Sequence, residues 1–315
     1  MPPRITTLTL NPTIDLASEA ESVHPVRKIR TVAERQDPGG GGVNVARVVR
    51  ELGGDTLAII LAGGVTGRFL EQLLDEAGVP RRTLSIAGRT RISQTVLERT
   101  TGQEYRFVAE GPRVSEAEWT AALEVAREVS DGWLVASGSL PLGVPQDFYA
   151  RLAAQARQQG LSYVLDTSGE ALRLALEEGG ITLLKPSLGE FEKALGRDLR
   201  GTGALERAAM EVVSAGKVRM LAVTLGSGGA LLARPEGPLR LPALDVEVRG
   251  AVGAGDSFVA AMTMALADGR PADDAFAWGV AAGAAAVSQA GTAHPAREDV
   301  LALRRRIAAV PEVVS

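Results

Sequence analysis

The sequence predicts an α/β fold in which a doubly wound, mostly parallel sheet carries helices on both faces. Short apolar segments alternate with segments of helical period along most of the chain, so that helices separate successive strands. Two segments, 14 to 37 and 88 to 110, break this alternation with β-like patches and no helical period. We therefore expect one domain over residues 1 to 315, in which these two segments pair as a small β-sheet lid.

The strands are predicted by alternation of apolar and polar residues or by short apolar runs between turn residues. Residues 5 to 10 alternate with threonine and end at Asn11-Pro12, while 91 to 98 and 104 to 108 form a hairpin-like pair around Thr101-Gly102. In chain order, the predicted strands are 5 to 10, 56 to 62, 91 to 98, 104 to 108, 133 to 137, 162 to 166, 181 to 184 and 221 to 224.

The helices are predicted by apolar residues that recur every three to four positions. One helix follows four glycines, 39 to 42, and another ends at Gly78. The last has its first turn at 253 to 257 and continues through an apolar run rich in Ala and Met. In chain order, the predicted helices are 43 to 52, 67 to 77, 115 to 130, 145 to 159, 169 to 178, 188 to 195, 202 to 215 and 253 to 266.

Composition and charge argue against several classes of partner. A net charge of −4 and a pI near 5.5 give no basic field to hold a nucleic acid or an anionic membrane. Cysteine is absent, which excludes disulfides, thiolate chemistry and Cys-ligated metals. The N-terminal segment is too short and too rich in threonine for a secretory signal. We expect a cytoplasmic protein that binds neither nucleic acid nor membrane.

Residues 250 to 257, Gly-Ala-Val-Gly-Ala-Gly-Asp-Ser, join a small-residue turn to the predicted helix 253 to 266. Free amides and a partial positive charge at a helix N-terminus favour an anion, and glycines let a phosphate approach the backbone. Asp256 lies in the first turn, where it can take a proton from an alcohol that attacks the phosphate. Taken alone, the octapeptide fits phosphoryl transfer and a tight turn with a dipole-complementing aspartate equally well.

The four glycines at 39 to 42 also lead into a helix. The preceding residues 35 to 38 form no strand, which argues against a dinucleotide motif, and the absence of Gly-Lys-Ser or Gly-Lys-Thr excludes a P-loop. The glycines suit a backbone that approaches a polyhydroxy ligand, with Asn44 donating to hydroxyls or, alternatively, capping the helix. Asp15 follows the first strand, where an open parallel sheet binds ligands, or serves as a turn residue.

Six short segments occur together over essentially the whole chain. They are 11 to 15 (Asn-Pro-Thr-Ile-Asp), 39 to 47 (Gly-Gly-Gly-Gly-Val-Asn-Val-Ala-Arg), 63 to 67 (Gly-Gly-Val-Thr-Gly), 137 to 141 (Ser-Gly-Ser-Leu-Pro), 166 to 170 (Asp-Thr-Ser-Gly-Glu) and 252 to 256 (Val-Gly-Ala-Gly-Asp). In content and order they resemble the ribokinase (PfkB) family of sugar kinases. The resemblance implies a ribokinase-like fold, ATP-dependent phosphoryl transfer with Mg²⁺, and a homodimer formed through the β-lid.

The resemblance implies roles for residues around the acceptor. Asp256 becomes the general base, while the amides of Gly253, Ala254 and Gly255 hold charge that develops on the transferred group. Lid residues Arg91 and Arg106 match positions that grip the sugar's existing phosphate, a role suited to guanidinium groups, and Lys28 matches a lysine that reaches a substrate phosphate from the partner subunit. The positions that match sugar contacts are Asp15, Gly40, Asn44 and Ser139.

The same resemblance implies a nucleotide site and its ions. Glu190 matches a residue that orders Mg²⁺ through water, and a monovalent-cation loop for K⁺ would use Gly291 with the carbonyls of Val252 and Ala286. The segment 224 to 229 suits phosphate and ribose contacts, or is a simple hairpin turn into 230 to 233. The positions that match ATP contacts are Lys185, Ser187, Thr224, Gly226, Gly229 and Gly283, the last of which lies in a small-residue helix expected under the adenine.

Two departures from the family pattern stand out. Ser187 replaces the asparagine of the family's Asn-x-x-Glu motif, which shortens its reach toward a metal-bound water or phosphate. Gly250-Ala251 replaces a pair that carries a hydroxyl, which puts potassium dependence in question.

The finer resemblance is to family members that phosphorylate fructose 6-phosphate at its C1 hydroxyl. It is carried by the four glycines followed by Val-Asn-Val-Ala-Arg and by the lid segment 105 to 108 (Tyr-Arg-Phe-Val). The alternatives are a 1-phosphofructokinase, a tagatose-6-phosphate kinase or a nucleoside kinase; the first two typically have a lysine where this chain has Gly41. A non-enzyme alternative, suggested by Ser187 and Ala251, is a sugar-phosphate sensor.

Overall fold

The computed structural model describes residues 4–250, 252–289 and 294–308. The strands, numbered in chain order, are β1 (Ile5–Thr9), β2 (Thr13–Ala20), β3 (Thr31–Gly39), β4 (Thr56–Ala62), β5 (Arg81–Ser85), β6 (Arg91–Glu98), β7 (Glu104–Val108), β8 (Trp133–Ser137), β9 (Ser162–Asp166), β10 (Ile181–Leu184), β11 (Val218–Thr224), β12 (Ala230–Arg234) and β13 (Gly237–Leu241). The helices are α1 (Gly41–Glu51), α2 (Gly64–Glu76), α3 (Glu116–Arg127), α4 (Phe148–Gln159), α5 (Gly169–Glu178), α6 (Leu188–Leu195), α7 (Ala204–Ser214), α8 (Ala254–Ala267), α9 (Ala272–Val287) and α10 (Arg297–Ala308).

The main sheet is buried on both faces. Its order in the described chain is β13-β12-β11-β10-β9-β8-β1-β4-β5, with parallel pairing from β11 to β5 and antiparallel pairing of β12 and β13. One core joins the sheet to α3 through α7, and the cores on the other side join it to α1, α2, α8, α9 and α10. The predicted doubly wound α/β fold is therefore confirmed.

A second sheet of four strands has the order β3-β2-β6-β7 in the described chain. Its central pair, β2 and β6, is parallel, and both outer pairs are antiparallel. These strands lie almost entirely within the two segments that break the βα alternation, so the small β-lid is confirmed. In the register of this sheet, Asp15 lies opposite Asp37 and Ser93, while Thr95 lies opposite Arg106. Because side chains alternate along a strand, Asp15, Asp37, Arg91 and Arg106 share one face of the lid.

Three elements, β5, β13 and α10, are absent from the sequence-based expectations. All three lie at the periphery, where a strand or helix needs little apolar sequence: β5 and β13 are the two outermost strands of the main sheet, and α10 has a highly charged sequence. Two helices begin earlier than expected, since α1 already includes Gly41 and α2 begins at Gly64. Within the described residues, no helix combines the length and apolarity that a membrane span requires.

Candidate active site

Asp256 lies in the first turn of α8 and is held by residues from two other elements. Its Oδ2 accepts a hydrogen bond of 2.9 Å from Asn44 Nδ2 on α1, and Ser137 Oγ at the end of β8 lies 3.5 Å from Oδ1. Burial raises the pKa of Asp256, while Asn44 and the nearby charge of Lys185 oppose that shift. The carboxylate is thus oriented and made more basic than a solvent-exposed aspartate.

The amides beside Asp256 belong to a helix start without a side-chain cap. Gly253 is the N-cap residue with φ of 74°, a left-handed conformation that glycine adopts without strain, and its carbonyl accepts from Ser257 N–H at 2.8 Å. The N–H groups of the first turn have no acceptor within an α-helix, and those of Ala254 and Gly255 find none elsewhere among the described residues. The structure therefore places a helix end of the kind that suits an anion and a carboxylate in the same turn.

Asn44 does not cap helix α1. Gly40 is the N-cap residue, with φ of 104°, and its carbonyl accepts from Asn44 N–H at 2.9 Å. The Asn44 side chain is thereby free to reach Asp256. A Cβ on Gly40 would lie 3.0 Å from Pro12 Cα and 3.1 Å from Thr9 Cγ2, so packing against the end of β1 also disfavours a side chain here.

Gly41 brings α1 against the end of β8 at backbone distance. A Cβ on Gly41 would lie 2.2 Å from Ser137 Oγ and 2.9 Å from Gly138 N. Any side chain at this position would displace either α1, which carries Asn44, or the strand end that carries Ser137. A lysine here is therefore incompatible with the arrangement observed around Asp256.

The lid face contributes Asp15 and two arginines. Burial raises the pKa of Asp15 to about 6 even though Arg91, Arg47 and Arg106 lower it. The Asp15 carboxylate makes no hydrogen bond to another described residue, so both oxygens are available to a ligand. A Cβ on Gly39 would lie 2.0 Å from Asp15 Oδ2, so a side chain at position 39 would displace this carboxylate.

The two arginines predicted to bind a phosphate differ in their surroundings. Arg91 donates from Nη1 to Ala109 O at 2.8 Å and from Nη2 to Asn11 O at 2.9 Å, which ties β6 to the end of β1 and to the segment after β7. Arg106 is exposed and forms no hydrogen bond to another described residue. Arg106 is therefore the freer of the two guanidinium groups, and Arg91 has a structural role as well.

Two other predicted acceptor residues lie at the surface. Ser139 is exposed in the loop after β8, and its Oγ lies 3.3 Å from Asn11 Nδ2. Lys28 lies in the exposed loop between β2 and β3, and the described residues offer it neither a hydrogen bond nor an ion pair. The structure of the single chain does not bring Lys28 to the other candidate residues.

A cleft of about 850 Å³ opens beside the first turn of α8. Apolar residues from 243 to 248, Phe258, Val280 and Val287 form much of its wall, and sequence reasoning did not find these. The predicted residues that line it are Ser187, Thr224, Gly226, Gly229, Gly283, Ala254 and Gly255.

The glycines of this cleft differ in how much space is available for a side chain at their positions. A Cβ on Gly226, which has φ of 58°, would meet nothing within 4 Å, whereas one on Gly229 would lie 2.1 Å from Leu241 O. Leu225 N–H donates to Gly229 O at 2.9 Å, so the turn into β12 is also the hairpin that the sequence allows. A Cβ on Gly283 would lie 3.4 Å from Ala254 O, which shows how closely α9 approaches the start of α8.

Lys185 is 5% exposed and lies under the first turn of α8. Its Nζ is 3.3 Å from Asp166 Oδ1 and would be 3.2 Å from a Cβ on Gly255. Burial lowers the pKa of Lys185, but the charges of Asp166 and Glu190 outweigh it and the net shift is upward. We therefore expect a protonated ammonium beside the helix end that would bind phosphate.

Ser187 and Glu190 form a capping box at the start of α6. Ser187 Oγ accepts from Glu190 N–H at 3.4 Å, and Glu190 Oε2 accepts from Ser187 N–H at 2.8 Å. Among the described residues, no group of three His, Cys, Asp or Glu side chains could hold a metal ion. This donor set fits Mg²⁺ that is held mainly by water and phosphate oxygens, with Glu190 beside it.

The predicted potassium loop is only partly described. Gly291 and Ala251 lie outside the described residues. Ala286 O accepts from Gln289 N–H at 3.0 Å, and the neighbouring Val287 O accepts from Arg249 N–H at 2.8 Å. Val252 lies in the turn before α8. The potassium site stays a prediction.

Two residues at strand ends were not singled out from the sequence. Ser137 ends β8 beside Asp256, and Asp166 ends β9 beside Lys185. Burial raises the pKa of Asp166 although Lys185 lowers it. Both lie at the carboxyl edge of parallel strands, which is the signal that could have identified them.

Replacing Gly41 with alanine should lower the free energy of unfolding by about 1–3 kcal/mol, because an added Cβ overpacks the contact with Ser137. Chemical denaturation of the Gly41→Ala variant and of the unmodified protein measures this change. Gly201→Ala is the matched control: its Cβ would meet only Ala204 Cβ at 3.9 Å, and its effect should stay within about 0.5 kcal/mol. Equal stability of the two variants would contradict the packing argument.

Comparison with known proteins shows the family of this chain. The chain matches the pfkB family carbohydrate kinase model over residues 9–299. It is 43% identical over 300 residues to the ATP-dependent 6-phosphofructokinase isozyme 2 of Mycobacterium tuberculosis (strain ATCC 25618 / H37Rv), covering 95% of this chain and 88% of that protein. Crystal structures of phosphofructokinase-2 from Escherichia coli in complex with potassium (TM-score 0.94, 38% identity) and with fructose-6-phosphate (TM-score 0.92, 37% identity) each cover 97% of this chain and 99% of the other. This chain therefore belongs to the pfkB family of carbohydrate kinases.

Proposed function

We propose that this chain transfers the γ-phosphoryl group of ATP to the C1 hydroxyl of fructose 6-phosphate, which yields fructose 1,6-bisphosphate and ADP. The observation that carries the proposal is the position of Asp256, which is fixed by Asn44 and lies beside the free amides at the start of α8. The names of the similar proteins, an ATP-dependent 6-phosphofructokinase and a complex with fructose-6-phosphate, support the choice of substrates.

In this proposal Asp256 accepts the proton of the attacking hydroxyl. A buried carboxylate with a raised pKa is a better base than an exposed one, and the hydrogen bond from Asn44 holds its orientation. The amides of Gly253, Ala254 and Gly255 stabilise charge on the phosphoryl oxygens during transfer. Lys185, buried below this turn, adds positive potential there.

The sugar phosphate would lie between the lid and the carboxyl edge of the main sheet. Asp15, Gly40, Asn44 and Ser139 would face its hydroxyls, and Arg106 with Arg91 would hold its phosphate through charge-assisted hydrogen bonds. Lys28, which has no partner among the described residues of its own chain, would reach a substrate phosphate in the other subunit of a dimer.

ATP would occupy the cleft lined by Thr224, Gly226 and Gly283, with its phosphates toward Lys185 and the start of α8. Mg²⁺, when bound, neutralises the phosphate oxygens between donor and acceptor. Glu190 would hold it through water, and Ser187 would hold Glu190 in place through the capping box. A potassium ion near Val252 and Ala286 belongs to the proposal, supported by the potassium complex of a similar protein.

Other acceptors remain the competing hypotheses. Fructose 1-phosphate and tagatose 6-phosphate kinases typically carry a lysine that the contact between Gly41 and Ser137 excludes here, which favours fructose 6-phosphate. A sugar-phosphate sensor would bind without turnover, but it would not need an oriented Asp256. A panel of phosphorylated sugars and nucleosides with the purified protein and Mg-ATP separates these hypotheses. Turnover that prefers another acceptor, or no turnover, would overturn the proposal.

We also propose that two chains pair through the lid. Of the nine exposed large hydrophobic residues of the described chain, six lie on the lid or its loop. They are Val26, Ile29, Val32, Ile92, Phe107 and Val108. Such a concentration on one small sheet is typical of a protein interface rather than of scattered surface residues.

Replacing Asp256 with asparagine should lower kcat by about 10²–10⁴-fold, because the proton acceptor is lost while the shape is kept. ATP affinity, measured by calorimetry, should change little. Asp268→Asn, an exposed aspartate at the other end of α8, is the matched control and should leave kcat unchanged. Undiminished turnover in Asp256→Asn would refute the base assignment.

Replacing Arg106 with glutamine should raise the KM for fructose 6-phosphate by about tenfold and change kcat little, since a phosphate contact made equally in ground and transition states affects binding. The KM for unphosphorylated fructose should not change. Arg99→Gln, also exposed on the lid but paired with Glu19, serves as the control. An equal loss with both sugars would argue against a phosphate contact.

Replacing Phe107 with glutamate should convert a dimer to a monomer, because the side chain is 61% exposed in the single chain and a buried charge at an interface is costly. Sedimentation equilibrium measures the mass. Val65→Glu places the same charge on α2, at a residue that is 66% exposed, and should leave the mass unchanged. A dimer that survives Phe107→Glu would place the interface elsewhere.

A further inference from the structure

Arg47 connects α1, whose Asn44 is hydrogen-bonded to Asp256, to strand β3 of the lid. It lies on α1, one turn after Asn44, and is 6% exposed. Its Nη1 donates to Pro38 O at 2.9 Å, and its Nη2 donates to Asp37 Oδ1 at 3.0 Å, both on β3. Residues three apart share one face of a helix, so this face contacts Asp256 at one point and the lid at the next.

The lid needs a cation at this place. Asp37 on β3 lies directly opposite Asp15 on β2, and like charges that face each other across antiparallel strands repel. The charged groups around Asp15 are Arg91 from β6, Arg47 from α1, Asp37 from β3 and Arg106 from β7. Arg91 donates to backbone carbonyls and Arg106 forms no hydrogen bond to another described residue, whereas Arg47 is bonded to Asp37 itself.

We infer that Arg47 is a positioning residue for sugar recognition: it offsets the repulsion between Asp37 and Asp15 and keeps Asp15 ionised to accept hydrogen bonds from the sugar. It acts through Asp15 and touches no reacting atom. The inference rests on the proposed function, because it assumes that Asp15 binds the acceptor. It also implies that removing the charge of Asp37 and removing the charge of Arg47 change the ionisation of Asp15 in opposite directions.

The physical basis is the effect of charge on an aspartate that is already difficult to ionise. Burial raises the pKa of Asp15 to about 6, with Arg91 and Arg47 lowering it and Asp37 raising it. The ionised form binds hydroxyls, so affinity is present above this pKa and is lost as the pH falls through it. Removing Arg47 therefore shifts the fall in affinity to higher pH, and removing the charge of Asp37 shifts this fall to lower pH.

The test is the pH dependence of kcat/KM for fructose 6-phosphate between pH 5 and about 8, at saturating Mg-ATP, in the full-length enzyme. The substrate phosphate also titrates near pH 6, but that ionisation is common to all variants and cancels in their comparison. We expect Arg47→Met to move the acid limb of this profile, which is the fall of kcat/KM at low pH, up by about one pH unit. Such a shift lowers kcat/KM, mainly through KM, by about twofold at pH 7 and by about tenfold at pH 5. Asp37→Asn should move the limb down.

Two further variants separate charge from fold. Arg47→Lys keeps the charge and should restore the acid limb toward that of the unmodified enzyme even if its fit to Pro38 is poorer. Arg35 also contacts Asp37: its Nε lies 2.8 Å from Asp37 Oδ2, and its side chain is exposed. Arg35→Gln removes this contact and should move the acid limb less than Arg47→Met does. Should Arg47→Met fail to fold, the downward shift in Asp37→Asn decides alone.

The outcomes are distinct. If the limb stays in place in Arg47→Met and Asp37→Asn, or moves in the same direction in both, the inference is overturned and Arg47 only stabilises the fold. If the unmodified enzyme phosphorylates no fructose 6-phosphate, the proposed function itself fails.

Discussion

The hydrogen bond between Asn44 and Asp256 joins parts of the chain that are 212 residues apart. It requires α1 and α8 to begin at the same edge of the main sheet and to lie close together. The glycines around it make this approach possible: Gly40 turns the chain into α1, Gly41 brings that helix against Ser137, and Gly253 starts α8. The position of the candidate base is therefore a property of helix packing on the sheet, and not of one loop.

Buried carboxylates in the site are balanced in different ways. Asp256 is stabilised by two hydrogen-bond donors and a nearby ammonium, and Asp166 by that ammonium at 3.3 Å. Asp15 has three arginines and the like-charged Asp37 around it and forms no hydrogen bond to another described residue. Unmet hydrogen-bonding capacity beside a buried charge is costly unless a ligand or water satisfies it. Under the proposed function, the substrate supplies the hydrogen bonds that Asp15 lacks, whereas Asp256 and Asp166 have their partners within the fold.

Local sequence was sufficient to predict the local structure around a candidate residue when one helix or strand determines that structure. The first turn of α8 was predicted with Asp256 and its glycines in place, because a helix start is a local feature. The lid was predicted as a sheet, but the parallel pairing of β2 with β6 was not, since Asp15 and Ser93 are joined by tertiary contact alone. Asp166 and Ser137 were missed for the same reason, because their importance comes from neighbours that lie far away in sequence.

Gly229 and Ser187 show that a residue in a motif can be needed for local structure as well as for a ligand. Gly229 belongs to a predicted nucleotide segment, yet the carbonyl of Leu241 on the adjacent edge strand already excludes any side chain there. Ser187 departs from the family pattern, yet it completes a capping box with Glu190, so the start of α6 keeps its geometry with a hydroxyl in place of an amide. A glycine within a motif can thus reflect packing, and a polar residue that departs from the motif can preserve the local structure. Motif matching by itself does not separate these cases, whereas the distances around each residue do.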